Sequence, residues 1–298
     1  MISSTGNGKI RELVRIKKSP RERSERGVFL VEGIKMFREI PPDLCQEVYV
    51  SESFLRTQEG AAALSRLPET EAVPVSDSVF QHLSDTQSPQ GVLAVVRQMQ
   101  YEQKDLMASN VSRTKTPPVN ASETKMPPVK ASETKTPPDC DPERKTPLIV
   151  VLESLQDPGN LGTIIRTAEA AGASGILLGK GCADIYNPKV TRSTMGSIFR
   201  VPFVYADDLQ GAVINLKECG IRILAAHLEG SVGLYEESFE GPTAILIGNE
   251  SRGLSDETAA LADRAVRIPM SGSVESLNAA VAAAVCMFEA KRQRMFIT

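Results

Sequence analysis

The chain has 298 residues, 41% of them hydrophobic and 24% charged, with a formal net charge of -3. That length suits two domains with cores of their own, and the slightly acidic total, taken whole, argues weakly against a nucleic-acid binder. No run of about 18 apolar residues occurs, which excludes a membrane-spanning helix. The cysteines (Cys45, Cys140, Cys182, Cys219 and Cys286) are odd in number and form no C-x-x-C pair, and only His82 and His227 are available as histidines. Neither a disulfide framework nor a metal site is therefore expected. The N-terminus lacks the apolar core of a signal peptide, and a reducing, cytoplasmic setting fits.

Residues 1–99 read as a small α/β domain. A helical start carries Lys9, Arg11, Arg15, Lys17, Lys18, Arg21, Arg23 and Arg26 against Glu12, Glu22 and Glu25. Phosphates sense such a local excess within about one Debye length, roughly 8 Å, although alone the pattern favours a solvated helix face. VFLVEG at Val28–Gly33 is a strand, Ile34–Ile40 a helix, Glu47–Ser51 an alternating strand, AAALSRL a helix and Gly91–Arg97 a buried strand.

Residues 100–146 contain a decapeptide repeat, TKTPPVNASE then TKMPPVKASE then TKTPPD, starting at Thr114, Thr124 and Thr134. Paired prolines and polar residues with a ten-residue period cannot bury a core, so the segment is expected to be a disordered, semi-extended linker.

From residue 147 to 298, strands alternate with helices. Strands are expected at Leu148–Ser154, Gly175–Gly179, Ile221–His227 and Thr243–Gly248. Helices are expected at Leu161–Ala171, Lys189–Met195, Asp207–Cys219 and from about Val274 to Arg294. The pattern implies a mainly parallel sheet covered on both faces.

Three segments stand out. Asp157-Pro158-Gly159-Asn160 follows a strand, with Asn160 placed to cap a helix that carries Arg166. Ligands gather at carboxyl strand ends in open α/β sheets. Ile247 to Leu254 runs from a buried strand into Gly248, which lets a ligand approach the backbone, and then Glu250. Ile268-Pro269-Met270-Ser271-Gly272, with Ser276-Leu277-Asn278, forms a loop of small and apolar residues suited to wrapping an adenine; Ser273 or Ser276 would cap the helix that follows. Each segment alone is also compatible with a routine turn, cap and core helix.

Together, DPGNLGTIIRTAEAAGA, ILIGNESRGLS and IPMSGSVESLNAAVAAAV, in this order and spacing, resemble the SpoU, or TrmH, family of RNA ribose methyltransferases within the SPOUT superfamily. NPKVTRSTMGSIFRVPF at Asn187–Phe203 resembles that family's substrate-side segment. FLVEG at Phe29–Gly33 and LSDTQSPQGVLAVV at Leu83–Val96 make the first domain similar to the family's L30e-like RNA-binding module. The decapeptide linker departs from the family, which joins these domains briefly.

The resemblance implies a C-terminal trefoil-knotted domain, a homodimer formed through it, and S-adenosylmethionine as cofactor. It implies that Gly248, Ile268, Met270 and Leu277 line the cofactor pocket, that Arg166 acts on the ribose 2′-hydroxyl or its phosphate, and that Asn160, Glu250, Ser276 and Asn278 shape the site. Because a guanidinium keeps its charge, a clamp that orients phosphate and stabilises developing alkoxide is physically easier for Arg166 than a general base. Arg192, Arg200, Lys17, Lys18 and Arg21 are candidate RNA contacts. Ribosomal RNA is the preferred substrate, with transfer RNA as an alternative, and a non-catalytic RNA-binding or ribosome-assembly factor on the same scaffold is the rival. A hydrolase is disfavoured, since Gly248 to Gly253 reads G-x-x-S-x-G and not G-x-S-x-G.

Overall fold

In the computed structural model, residues 1–66, 70–107, 146–273 and 276–295 are described. Helix α1 (Gly8–Lys18) opens the chain with Ile10, Leu13 and Ile16 buried at helical spacing. Ser19 then caps α2 (Pro20–Arg26), accepting from Glu22 N, while Pro20 starts the helix and Gly27 ends it in the left-handed region. Strands β1 (Val28–Glu32), β2 (Cys45–Ser51), β3 (Ala72–Val75) and β4 (Val92–Arg97) form a four-stranded sheet in the order β1-β4-β2-β3. β4 runs antiparallel to β1 and β2, and β3 is parallel to β2. Helices α3 (Ile34–Phe37), α4 (Glu52–Leu55), α5 (Gln58–Leu64) and α6 (Asp77–Leu83) complete this part. β3 and α6 are additions to the sequence reading: β3 contains Pro74, which sequence reasoning demotes but an edge strand tolerates.

The second sheet has seven strands. They are β5 (Leu148–Leu152), β6 (Gly175–Gly179), β7 (Phe203–Ala206), β8 (Arg222–Ala226), β9 (Val232–Gly233), β10 (Thr243–Ile247) and β11 (Arg264–Arg267), in the order β7-β6-β5-β10-β8-β11-β9. Each pair of neighbours is parallel. Helices α7 (Pro158–Ala171), α8 (Pro188–Thr194), α9 (Leu209–Glu218), α10 (Asp256–Ala259) and α11 (Ala279–Arg294) cover it. β5 and β10 are buried on both faces, and successive residues join different cores. Leu148, Val150, Leu152, Ile245 and Ile247 share a core with α7 and α11, whereas Ile149, Val151, Ala244 and Leu246 pack with α9. Burying each Leu or Ile on either face stabilises the sheet by roughly 1.5–3 kcal/mol.

The two sheets are not separate bodies. The core under α7 and α11 continues through Tyr186, Phe199 and Phe203 to Phe29, Val31 and Phe37 of the first sheet. Phe29 stands 4.7 Å from Tyr186 between ring centroids, and the Tyr186 hydroxyl donates to Met99 O at 2.9 Å. Arg23, 2% exposed, donates to Ile16 O and Lys17 O at 2.8 Å and to Asp184 at 2.5 Å. Arg200 is held by Glu39 of the first part and Glu169 of α7.

Most of the expected linker, including every copy of the decapeptide, lies outside the described residues. Its beginning does not behave as a linker: Gln103–Met107 forms a 3-10 turn with Leu106 fully buried under the second sheet, and Tyr101 packs edge-on against Phe203. One buried leucine is enough to pin such a turn, and the polar composition around it concealed this.

Candidate active site

β5 and β10 lie side by side with Ile247 opposite Leu152. The chain proceeds from β5 towards β6 and β7 on one side, while β8, β11 and β9 lie on the other. The carboxyl ends of β5 and β10 therefore flank a topological switch point, where loops diverge and a crevice opens.

The turn after β5 and the loop after β10 are tied together there. Asp157 caps α7, accepting from Asn160 N at 2.8 Å. The expected cap, Asn160, instead stands in the first turn with its side chain free to turn outward, because the aspartate is the residue just before the helix and Pro158 fills the first helical position. Asn160 Nδ2 donates to Glu250 Oε1 at 3.1 Å, and Asn160 Oδ1 accepts from Asn278 Nδ2 at 2.9 Å. Glu250 also accepts from Asp157 N at 3.0 Å and Gln156 N at 3.3 Å. Burial by itself would raise the Glu250 carboxyl, but these hydrogen bonds outweigh it and hold the group below the usual glutamate range.

Asn278 caps α11, accepting from Ala280 N at 2.9 Å and Val281 N at 3.3 Å. The helix thus begins at Ala279 and not near Val274, which with Glu275 lies outside the described residues. The expected caps, Ser273 and Ser276, fall too early because Ser276, Leu277 and Asn278 all precede the first helical turn.

The loop after β10 folds back on itself. Asn249 N donates to Gly253 O at 2.9 Å and Gly253 N to Asn249 O at 3.0 Å. Asn249 Nδ2 donates to Ser154 O at 2.8 Å, and its Oδ1 accepts from Ser251 N and Arg252 N. A Cβ on Gly248 would sit 2.1 Å from Gly253 C and 2.3 Å from Leu254 N. Gly248 is thus required by the loop's own return, a reason different from close approach of a ligand. Gly162 is similarly constrained: a Cβ there would lie 2.4 Å from Ser193 Cβ, where α7 packs on α8.

Beside this loop lies a cavity of about 530 Å³, within the range of small-molecule cofactor sites. The ends of β8, β10 and β11 and the approach to α11 enclose it. Gly248, Glu250, Ile268, Met270, Ser276 and Leu277 all line it, so six of the anticipated residues converge on one space. Asn160 and Asn278 stand behind its wall. Arg166 lies on the exposed face of α7, outside the cavity lining, and its guanidinium makes no hydrogen bond or ion pair among the described residues.

The anticipated RNA contacts divide. Lys18 is exposed without a carboxylate partner among the described residues, and Arg21 is exposed in a surface pair with Glu25. Lys17 turns inward, donating to Leu83 O at 2.8 Å and pairing with Asp85 at 2.9 Å. Arg200 is engaged by Glu39 and Glu169, and Arg192 faces Glu32 at 3.9 Å. Arg11 and Arg15, which share an exposed face of α1 with Lys18, were not singled out; their spacing of four and three residues was the available signal. Also missed were Asn249, which holds the loop, and His227, which lines the cavity at the end of β8. Position at a carboxyl strand end could have flagged both.

Residues 147–288 match the SpoU rRNA Methylase family, and residues 7–94 match the MRM3-like substrate binding domain. The second half of this chain is thus a domain of the SpoU methylase family. It is 39% identical over 148 residues to the 23S rRNA (guanosine-2'-O-)-methyltransferase RlmB of Pseudomonas syringae pv. tomato, a match covering 50% of this chain and 59% of that protein. Against the 23S rRNA (guanosine(2553)-2'-O)-methyltransferase RlmP of Bacillus subtilis it is 28% identical over 96% of this chain and 97% of the relative. Matches to the more identical RlmB proteins span only about three fifths of their length. The crystal structure of AviRb from Streptomyces viridochromogenes, a SpoU methyltransferase in complex with the cofactor AdoMet, superposes with a TM-score of 0.78 at 27% identity, covering 97% of this chain and 99% of that one. The mixed α/β architecture with its parallel sheet is thus the SpoU architecture.

Proposed function

We propose that this protein transfers a methyl group from S-adenosylmethionine to a ribose 2′-hydroxyl of RNA, with ribosomal RNA as the substrate. The observation that carries the reading is the convergence of Gly248, Ile268, Met270 and Leu277 on one cavity at the carboxyl ends of β8, β10 and β11. The cavity suits the cofactor chemically: apolar side chains can sandwich an adenine, while strand-end backbone and Ser276 offer polar contacts. The bound cofactor supplies an electrophilic methyl group. The names of the ribosomal RNA methyltransferases that this chain resembles, and the match to a substrate-binding domain, favour RNA and specifically ribosomal RNA.

In this reading the network of Asn160, Glu250 and Asn278 fixes the cavity's wall, and Arg166 orients the ribose and its phosphate from outside it. Lys18, Arg11, Arg15 and Arg21 on the exposed side of the first two helices attract the RNA backbone. The boundaries of residues 1–99 as an L30e-like RNA-binding domain and 147–298 as the methyltransferase domain belong to the same proposal, as does threading of the C-terminal segment into a trefoil knot.

The protein acts as a homodimer through the second domain. In support, α11 leaves Val281 and Phe288 nearly half exposed, with Val285 between them on the same face. The free Cys45, Cys182, Cys219 and Cys286 are in keeping with a cytoplasmic site; among the described residues no helix is long and apolar enough to cross a membrane.

The test is to map ribose 2′-O-methylation across cellular RNA with and without the gene. Loss of a ribosomal RNA methyl group, restored by the wild-type gene, is expected. An unchanged map, with no transfer by the purified protein to ribosomal RNA, would refute the proposal.

A further inference from the structure

Glu153, the first residue beyond β5, belongs to none of the residues assigned to the site so far. One of its carboxylate oxygens accepts from Ser255 N at 2.8 Å. The other accepts from Ser255 Oγ at 2.7 Å and Thr258 Oγ1 at 2.6 Å. Thr258 is fully buried and in turn accepts from Gln210 Nε2 at 3.0 Å. Glu153 N donates to Ile247 O at 2.9 Å, which fixes its own backbone against β10.

These bonds run from the end of β5 to the far end of the loop that walls the cavity between Gly248 and Leu254. Glu250 makes the reverse connection, from the loop to the turn after β5. The loop is therefore clamped by one carboxylate at each end. At the far end the clamp is needed, since α10 has only four residues and cannot hold itself in place. Hydrogen bonds to an ionised acceptor are the stronger kind, and Glu153 directs three of them at this one short helix and its cap.

We infer that Glu153 is a positioning residue for the cofactor cavity, acting through Ser255 and Thr258 to hold the loop of Gly248–Leu254 in its binding shape. The inference rests on the cofactor reading above. Glu153 does not line the cavity, so its effect is carried entirely by the loop.

The experiment is titration calorimetry of the full-length chain with S-adenosylhomocysteine, paired with thermal unfolding. Glu153→Ala should weaken binding by about tenfold or more, equivalent to the loss of a charged hydrogen bond, and Thr258→Val should weaken it less. Arg222→Ala serves as the control, because it breaks an ion pair with Glu237 away from the cavity and should lower the melting temperature while leaving affinity unchanged. A purely structural role for Glu153 would behave like that control: wild-type affinity in Glu153→Ala, measured below its melting temperature, overturns the inference while wild-type binding leaves the cofactor reading standing. No binding by the wild type overturns both.

Discussion

Asn278 Nδ2 donates to Asn160 Oδ1 at 2.9 Å across 118 residues of sequence. Through this one bond the first turn of α7 and the cap of α11 are coupled, and Asn160 passes the connection on to Glu250. The bond is read directly by substitution. Asn278→Ala removes both the cap and the link and should lower stability by about 1 kcal/mol. Asn278→Asp keeps a good capping oxygen but has no donor for Asn160. Its urea midpoint should stay near wild type while methyl transfer falls. Equal activity in Asn278→Asp and wild type would show that the link is dispensable.

Glu250 gives the acid side of the stability curve a specific cause. Its folded pKa is depressed, so its contribution is fully present above the ordinary glutamate value, about 4.3, and is lost as pH falls through the lower folded value. Glu250→Gln should therefore be less stable than wild type at neutral pH, and the gap should close on acidification below about pH 4. Urea unfolding across pH checks this; a gap that stays constant with pH would assign the loss to shape and not to charge.

Arg166 is exposed and stands outside the cavity lining. Arg166→Ala should change stability by no more than about 0.5 kcal/mol, as for other surface substitutions, and leave S-adenosylhomocysteine affinity intact. Methyl transfer should nevertheless fall by at least about a hundredfold if the guanidinium stabilises charge at the reacting oxygen. Single-turnover transfer assays decide it, and near-normal turnover would remove Arg166 from the mechanism.

Two arginines joining the sheets should differ sharply. Arg23 is buried, and Arg23→Ala leaves Asp184 without its cation and two carbonyls without donors, so a loss of about 3 kcal/mol is expected. Arg200 is partly exposed between two carboxylates, and Arg200→Ala should cost about 1 kcal/mol or less and fade with added salt. Denaturant unfolding at low and high salt separates the two.

The sequence by itself determined the local elements and the chemistry of the strand ends. Short apolar runs, the Asp-Pro-Gly turn and the three motif segments marked where strands stop, and the resemblance they carry named residues that line the cavity. What it could not decide was which of several equivalent polar residues takes each local role. Asp157 and not Asn160 caps α7, and Asn278 and not Ser273 or Ser276 caps α11, because capping depends on where the backbone leaves the helix, a matter of one or two residues that composition does not resolve. Nor could it separate Lys17, turned inward to Asp85, from Lys18, left in solvent. The reason Gly248 must be glycine lies in a backbone return from Gly253, and the union of the two sheets lies in Phe29 meeting Tyr186. Both are contacts across the chain, and only packing in three dimensions fixes them.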